Sequence, residues 1–290
     1  MNNNGHSIPA YLRNVTVWSK LGYRLAGKPP ADVVSGEALK TDNPWSVFAA
    51  VLEHAKIGRF EHMDRLGSYI SGDRNREIPP AGACIRLIGD AGRDNDLKLL
   101  LPLLIGTNEE LMKISAHAIG FSGKLEFVPQ MLDGWLNLAQ SARPDSIGYS
   151  ISNLLESSPG EIADLADQYT LPIQPDCEFA LAVRNKHRQL AGMYGENANV
   201  WRGALVSPEN IAREMYVTLT DNNTPKLTQQ LLHQRHKFES ITGIELADCI
   251  EEGTLAPLKT VATLEPIIES KELAQFETGS RYFYGHRVPT

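Results

Sequence analysis

Two stretches of this chain can be laid on one another at a single offset. One is "ACIRLIGDAGRDNDLKLLLPLL", which starts at Ala83; the other is "SAHAIGFSGKLEFVPQMLDGW", which starts at Ser115. Ile88 then falls on Ile119, Gly89 on Gly120 and Gly92 on Gly123, while Leu97, Leu101 and Leu104 fall on Val128, Leu132 and Trp135. Each copy reads as a helix, a turn with glycine, and a second helix. Glycines so placed serve a left-handed turn or a close approach of two backbones. A weaker third copy, "SIGYSISNLLESSPGEIADLADQYT", turns at Ser158, Pro159 and Gly160. One helical pair cannot bury its apolar faces alone, so a repeat of this kind implies stacked hairpins, an α-solenoid.

Helix signals extend on both sides of the repeats. Asn43 is placed to cap a helix that opens with Pro44, carries Phe48, Val51, Leu52 and Ala55 on one face, and ends at Gly58. Phe60, Met63, Leu66 and Ile70 continue it as a hairpin, a diverged earlier copy of the repeat. Pro172 and Pro175 mark a boundary. Beyond it Ser207, Pro208 and Glu209 form a helix start, Thr224 caps a further helix that stops at Gly243, and 256–276 holds one or two more. The segment before Asn43 is punctuated by Gly, Pro and Asn; "VTVWSKLGYRL" fits a short helix or a strand, and "KPPADVVSG" reads as loop. The expected fold is all-α. It has an irregular segment at 1–43, a solenoid of short HEAT-like helical hairpins at 44–170, and a helical region at 171–290 packed on the repeats.

Composition narrows the function classes. A hydrophobic fraction of 42% is ample for a packed core. A formal net charge of −7 repels a phosphate backbone, which argues against nucleic acid as the main partner, and steers in a basic protein. Cys84, Cys177 and Cys249 are far apart and form no CxxC pair, so reduced thiols in a cytoplasm are expected rather than a disulfide framework or a zinc knuckle. The first residues carry no signal-peptide pattern. No apolar run approaches the length of about 18 residues that a membrane span needs.

The chain yields little chemistry. "GDAGRD" and "GFSGKL" lie between helices and lack the spacing of a phosphate loop. Glu53–His54 and Glu61–His62 pair a carboxylate with an imidazole twice, without an echo in the later repeats, and read as surface helix positions. His233 and His236 share a helical face in "HQRHKFE", yet no third metal ligand is identifiable, and a solvated basic face is the stronger reading. Cys249 sits beside acids that raise a thiol pKa, which favours a buried structural role. No cofactor and no metal are expected. The acids at 73–77 and 90–96 fall in or near turns, and the turns of a solenoid line one edge and often bind.

Three segments, "NPWSVFAAVLEHAKIGRFEHMDRLGSYI", "QRHKFESITGIELADC" and "GSRYFYGHRVPT", occur in that order with HEAT-like hairpins between them. In that combination the chain, from residue 44 to 290, resembles the immunity proteins of bacterial polymorphic toxin systems. The resemblance implies a cytoplasmic protein that is not an enzyme. It would bind a cognate toxin domain and block it by steric occlusion, with neither nucleic acid nor membrane as partner. The acidic balance adds that the toxin is basic. The alternative is a HEAT-like scaffold or adaptor for other proteins. Residues proposed for partner contact are the turn acids Asp73, Asp90, Asp94 and Asp96, together with Arg235, His236, Tyr284 and Arg287. For Tyr282 to Tyr284 a second role competes: sealing the open end of the last repeat, with Arg281 and Arg287 paired to acids.

Overall fold

A computed structural model describes residues 7–17, 22–70, 78–137, 145–157, 160–168, 177–221, 228–251 and 254–290. In chain order its helices are α1 (Ala31–Ser35), α2 (Pro44–Lys56), α3 (Gly67–Ile70), α4 (Ile78–Ala91), α5 (Asp94–Lys98), α6 (Glu109–Ser122), α7 (Val128–Asn137), α8 (Asp145–Leu155), α9 (Glu161–Gln168), α10 (Glu178–Tyr194), α11 (Pro208–Thr220), α12 (Thr228–Thr242) and α13 (Pro257–Glu269). Short 3-10 turns lie between several of them. Three two-stranded antiparallel hairpins complete the described elements: β1 (Val200–Trp201) with β2 (Ala204–Leu205), β3 (Ile250–Glu251) with β4 (Thr254–Leu255), and β5 (Tyr282–Phe283) with β6 (His286–Arg287). The protein is mostly helical, as the sequence predicts. No helix among the described residues is long and apolar enough to cross a membrane.

The chain packs as two compact units. One runs from Leu66 to Val206; the other joins Met1–Arg65 to Ser207–Pro289. This division differs from the boundaries read at residue 44 and near Pro172 and Pro175. The prolines lie outside the described residues. The segment 44–65 sorts with the C-terminal helices and not with the repeats. Its expected second helix is only a 3-10 turn, Met63–Leu66, followed by the single turn α3.

In the 66–206 unit α4 packs on α6 and α6 on α8, in chain order. The paired glycines explain how closely. A Cβ at Gly89 would sit 2.6 Å from the Ala118 carbonyl oxygen, and one at Gly120 would sit 3.0 Å from that of Ser150. Each glycine is thus the point where one helix backbone touches the next. The second half of each hairpin is less regular. After α4 it breaks into α5 and a 3-10 turn at Leu101–Ile105, where Pro102 has no N–H to extend a helix. After α6 a 3-10 turn at Leu125–Phe127 leads into α7, and after α8 comes α9. Leu97, Leu104, Ile119, Met131, Ile151 and Leu154 fill the core between these layers. Helix α10 closes it, with Phe179 against Trp135 at a ring-centroid distance of 4.0 Å.

The other unit is built around α12. Helix α11 packs on both α12 and α13, β4 and β5 lie on α12, and α1 packs on α2. Asn43 caps α2 as expected, its side-chain oxygen accepting from the backbone N–H of Trp45 (3.0 Å) and Ser46 (3.3 Å). Ser207 does the same for α11 through Asn210 N–H, and Pro208 opens that helix. Gly243, at φ +74°, ends α12 as read, while the Thr224 cap lies outside the described residues. The stretch read as loop at 28–36 contains α1, one helical turn entered from Pro30 and closed by left-handed Gly36.

Candidate protein-binding surface

The turn acids do not form a common exposed edge. Asp90, at the end of α4, is 5% exposed, and Asp96 is 3% exposed. The Asp96 carboxylate accepts from the backbone N–H of Arg93 and from its guanidinium, each at 2.8 Å, so it holds the first turn of α5 together. Side chains this buried present no surface to a partner, and both residues are corrected from contact to structure. Asp94 is partly exposed. Its carboxylate meets the buried ammonium of Lys124 at 2.8 Å, so an ion pair spans the turns of successive hairpins. Asp73 lies outside the described residues.

Arg235 and His236 are corrected for the same reason. The stripe read as a solvated basic face runs through the interior: Gln234, Arg235, His236, Lys237, Glu239 and Ser240 are all buried. Arg235 Nη1 donates to Glu239 Oε2 at 2.7 Å, and the other oxygen of Glu239 accepts the Leu246 N–H at 2.6 Å. Burial pushes the Glu239 carboxyl up and the Arg235 guanidinium down, and their mutual attraction opposes both shifts. The His236 ring is tilted against that of Tyr23, with centroids 5.6 Å apart. Burial, and then His236, hold His233 down to about 4.

The closing segment forms the β5–β6 hairpin. Its two-residue loop, Tyr284 and Gly285, has φ of +49° and +82°. The tip donates its N–H groups to the last carbonyls of α12, Tyr284 to Ser240 and Gly285 to Ile241, each at 2.8 Å. Phe283 is wholly buried and packs on Tyr23, ring centroids 5.6 Å apart. The segment therefore plugs the core around α12. It belongs to the unit built on α12, and the repeats at 83–135 belong to the other. Tyr284 is half-buried, with the Lys56 ammonium 5.2 Å from its ring centre. Arg287 remains exposed and pairs with Glu277 at 3.0 Å, as the sequence suggests for this arginine.

The Glu–His pairs come together more than their spacing implies. His54 and His62 lie 5.4 Å apart, ring to ring, and burial is the main cause that lowers the His54 pKa. Among the described residues no group of three or more His, Cys, Asp or Glu is placed to hold a metal ion. Cys84 and Cys249 are buried, and burial pushes the Cys84 thiol up, which suits packing rather than reactivity.

Among the described residues a concave surface that the sequence did not flag lies between α9 and α10. It is a groove of about 670 Å³ in the 66–206 unit. Ile162 and Leu165 of α9 form an apolar floor, and Leu181 on α10 stands 47% exposed on its wall. Glu161 and Glu178 open the two helices at its rim, and Lys186 lies further along α10. The α10 residues that line it, Glu178, Leu181, Ala182, Asn185, Lys186 and Gln189, share one helical stripe. That spacing is visible in the sequence, but its mixed polarity gives no amphipathic signal. Compared with protein-family models, curated proteins and solved structures, the chain matches none.

Proposed function

We propose that this chain is an immunity protein: it binds a toxin domain in the cytoplasm of the producing cell and blocks it by covering its active site or substrate face, with no catalysis of its own. The observation that carries the reading is the row of α4, α6 and α8, packed in chain order with glycine at each contact. We read this row as a short-period HEAT-like solenoid, a scaffold that offers helix faces and turn edges to another protein. The net charge of −7 favours a basic toxin, for which a nuclease is one class. The segments that resemble polymorphic-toxin immunity proteins direct the choice among protein partners.

The test is a rescue experiment. The gene beside this one is expressed in a bacterial host with and without this protein. Death alone, survival together and a co-purifying complex are the expected results. A neighbouring product that is harmless, or that kills regardless, overturns the reading and leaves a scaffold for other proteins.

A further inference from the structure

We propose that the groove between α9 and α10 seats a basic segment of the protein partner, with one apolar side chain on its floor and Lys or Arg side chains along its rim. This inference rests on the protein-binding reading above and adds the place and the chemistry of the contact. Four observations carry it. Ile162 and Leu165 are buried apolar lining residues, and Leu181, a large apolar side chain that lines the same groove, is about half exposed. A site that combines an apolar floor with an exposed leucine gains by covering both.

The rim carries the second observation, its charge. Glu161 and Glu178 stand exposed at the starts of α9 and α10, and among the described residues no cation lies within ion-pair distance of either. The third glutamate, Glu156, is committed to the fold: its oxygens accept from Ser152 Oγ at 2.8 Å and from the Ile162 N–H at 3.1 Å. Among the described residues two cations stand at the groove: Lys186 lines it, and Arg188 donates to the lining Asn185 at 3.3 Å. Glu156, Glu161 and Glu178 outnumber these two cations, so the local balance is negative, in the same sense as the whole chain, and charge complementarity selects a basic occupant over an acidic one.

The third observation is rigidity. Glu156 ties the end of α8 to the first turn of α9, and Phe179 and Val183 root α10 in the core beside Trp135. The groove is thus preformed, and binding need not order it. The fourth is shape. The lining on α10 spans Glu178 to Gln189 along one stripe, a length that takes a short helix or an extended strand and exceeds a small ligand's needs.

The experiment uses the full chain in two arms. In the first, affinity for the neighbouring gene product is measured for wild type, for E161K/E178K and for L181S. Each substituted side chain is exposed, so helical circular dichroism should stay unchanged. Both variants should bind at least about tenfold more weakly, and the charge reversal should also reduce the salt dependence of the association rate. In the second arm, fluorescence anisotropy follows a short synthetic peptide in which leucine alternates with lysine and arginine, against a peptide of the same pattern with glutamate. Wild type should bind the basic peptide and not the acidic one, and E161K/E178K should lose that preference. Undiminished binding of the gene product by both variants overturns the proposal while immunity stands. A gene product that wild type ignores overturns immunity, and the peptide arm then decides the groove: equal binding of basic peptide by wild type and both variants, or none by wild type, removes it.

Discussion

Arg235 reads in the sequence as one of a run of solvated cations, and the structure buries it completely. Its neighbours in sequence cannot explain this; its partners can. Glu239 answers its charge one helical turn on, and the chain around Gly22 and Tyr23 comes from the far N-terminus to cover the same face. A buried ion pair is weak evidence for stability, yet the removal of either partner is destabilising because it leaves the other charge unanswered. His233 gives this polar core a measurable pH signature. Its folded pKa of about 4 lies below the ordinary 6.5, so the unfolded chain takes up a proton that the folded chain refuses. The stability it contributes is present above about pH 6.5 and is lost as pH falls towards about 4. The gap amounts to about 3 kcal/mol at most. His54, lowered by burial, acts in the same direction. Urea midpoints measured near pH 7 and near pH 4.5 should show the loss, and H233Q should show a smaller one. An identical slope in the variant would exclude His233 as its source.

At the scale of elements, most of what could be read had a local cause. Asn43–Pro44 and Ser207–Pro208 mark helix starts because a cap and the N–H it accepts from lie within one helical turn of each other. Gly89 and Gly120 recur because each meets a neighbouring helix at the same place. The β-hairpins were not legible, since two-residue strands carry no periodicity. Two of them share a device. Arg202 and Gly203 at the tip of β1–β2 have φ of +54° and +77° and donate to the Asn153 and Leu154 carbonyls at the end of α8. Tyr284 and Gly285 repeat this at the end of α12. In both, a bulky residue followed by glycine makes a left-handed two-residue turn whose N–H groups satisfy the orphan carbonyls of a helix. The glycine contacts supply the element-scale prediction. G89A places a methyl against the Ala118 carbonyl oxygen and should destabilise the protein by about 1–3 kcal/mol. G192A, on α10 with nothing within 4 Å of its added Cβ, should leave stability unchanged or raise it by up to about 1 kcal/mol. Thermal melts of the two variants check both signs, and equal shifts would mean that α4 and α6 can move apart freely.

At the scale of the whole molecule, the two ends of the chain belong to one unit and the middle belongs to another. The repeat period is a local signal, and the copies from Ala83 onward fall inside the middle unit. Only partners from opposite ends of the chain, such as Arg24 and Asp248, reveal that the ends pack together. This connectivity makes the closing hairpin structural for a segment far from it in sequence. Without 281–290 the core loses Phe283, which is wholly buried, and Val288, which is nearly so. It also loses the donors to Ser240 and Ile241. Two buried apolar side chains contribute about 4 kcal/mol and the two hydrogen bonds about 2 kcal/mol more. A loss of that size is comparable to the full stability of a small domain. Deletion of 281–290 should therefore unfold the unit built on α12, while α4 to α10 keep their own core. Limited proteolysis read by mass spectrometry separates the cases: cleavage should spread through 22–65 and 207–280 and spare 78–137. F283A should produce the same pattern more mildly. Protection that vanishes everywhere would show that the two units fold as one; protection that survives everywhere would show that the hairpin is an ornament on α12, free to serve a partner after all.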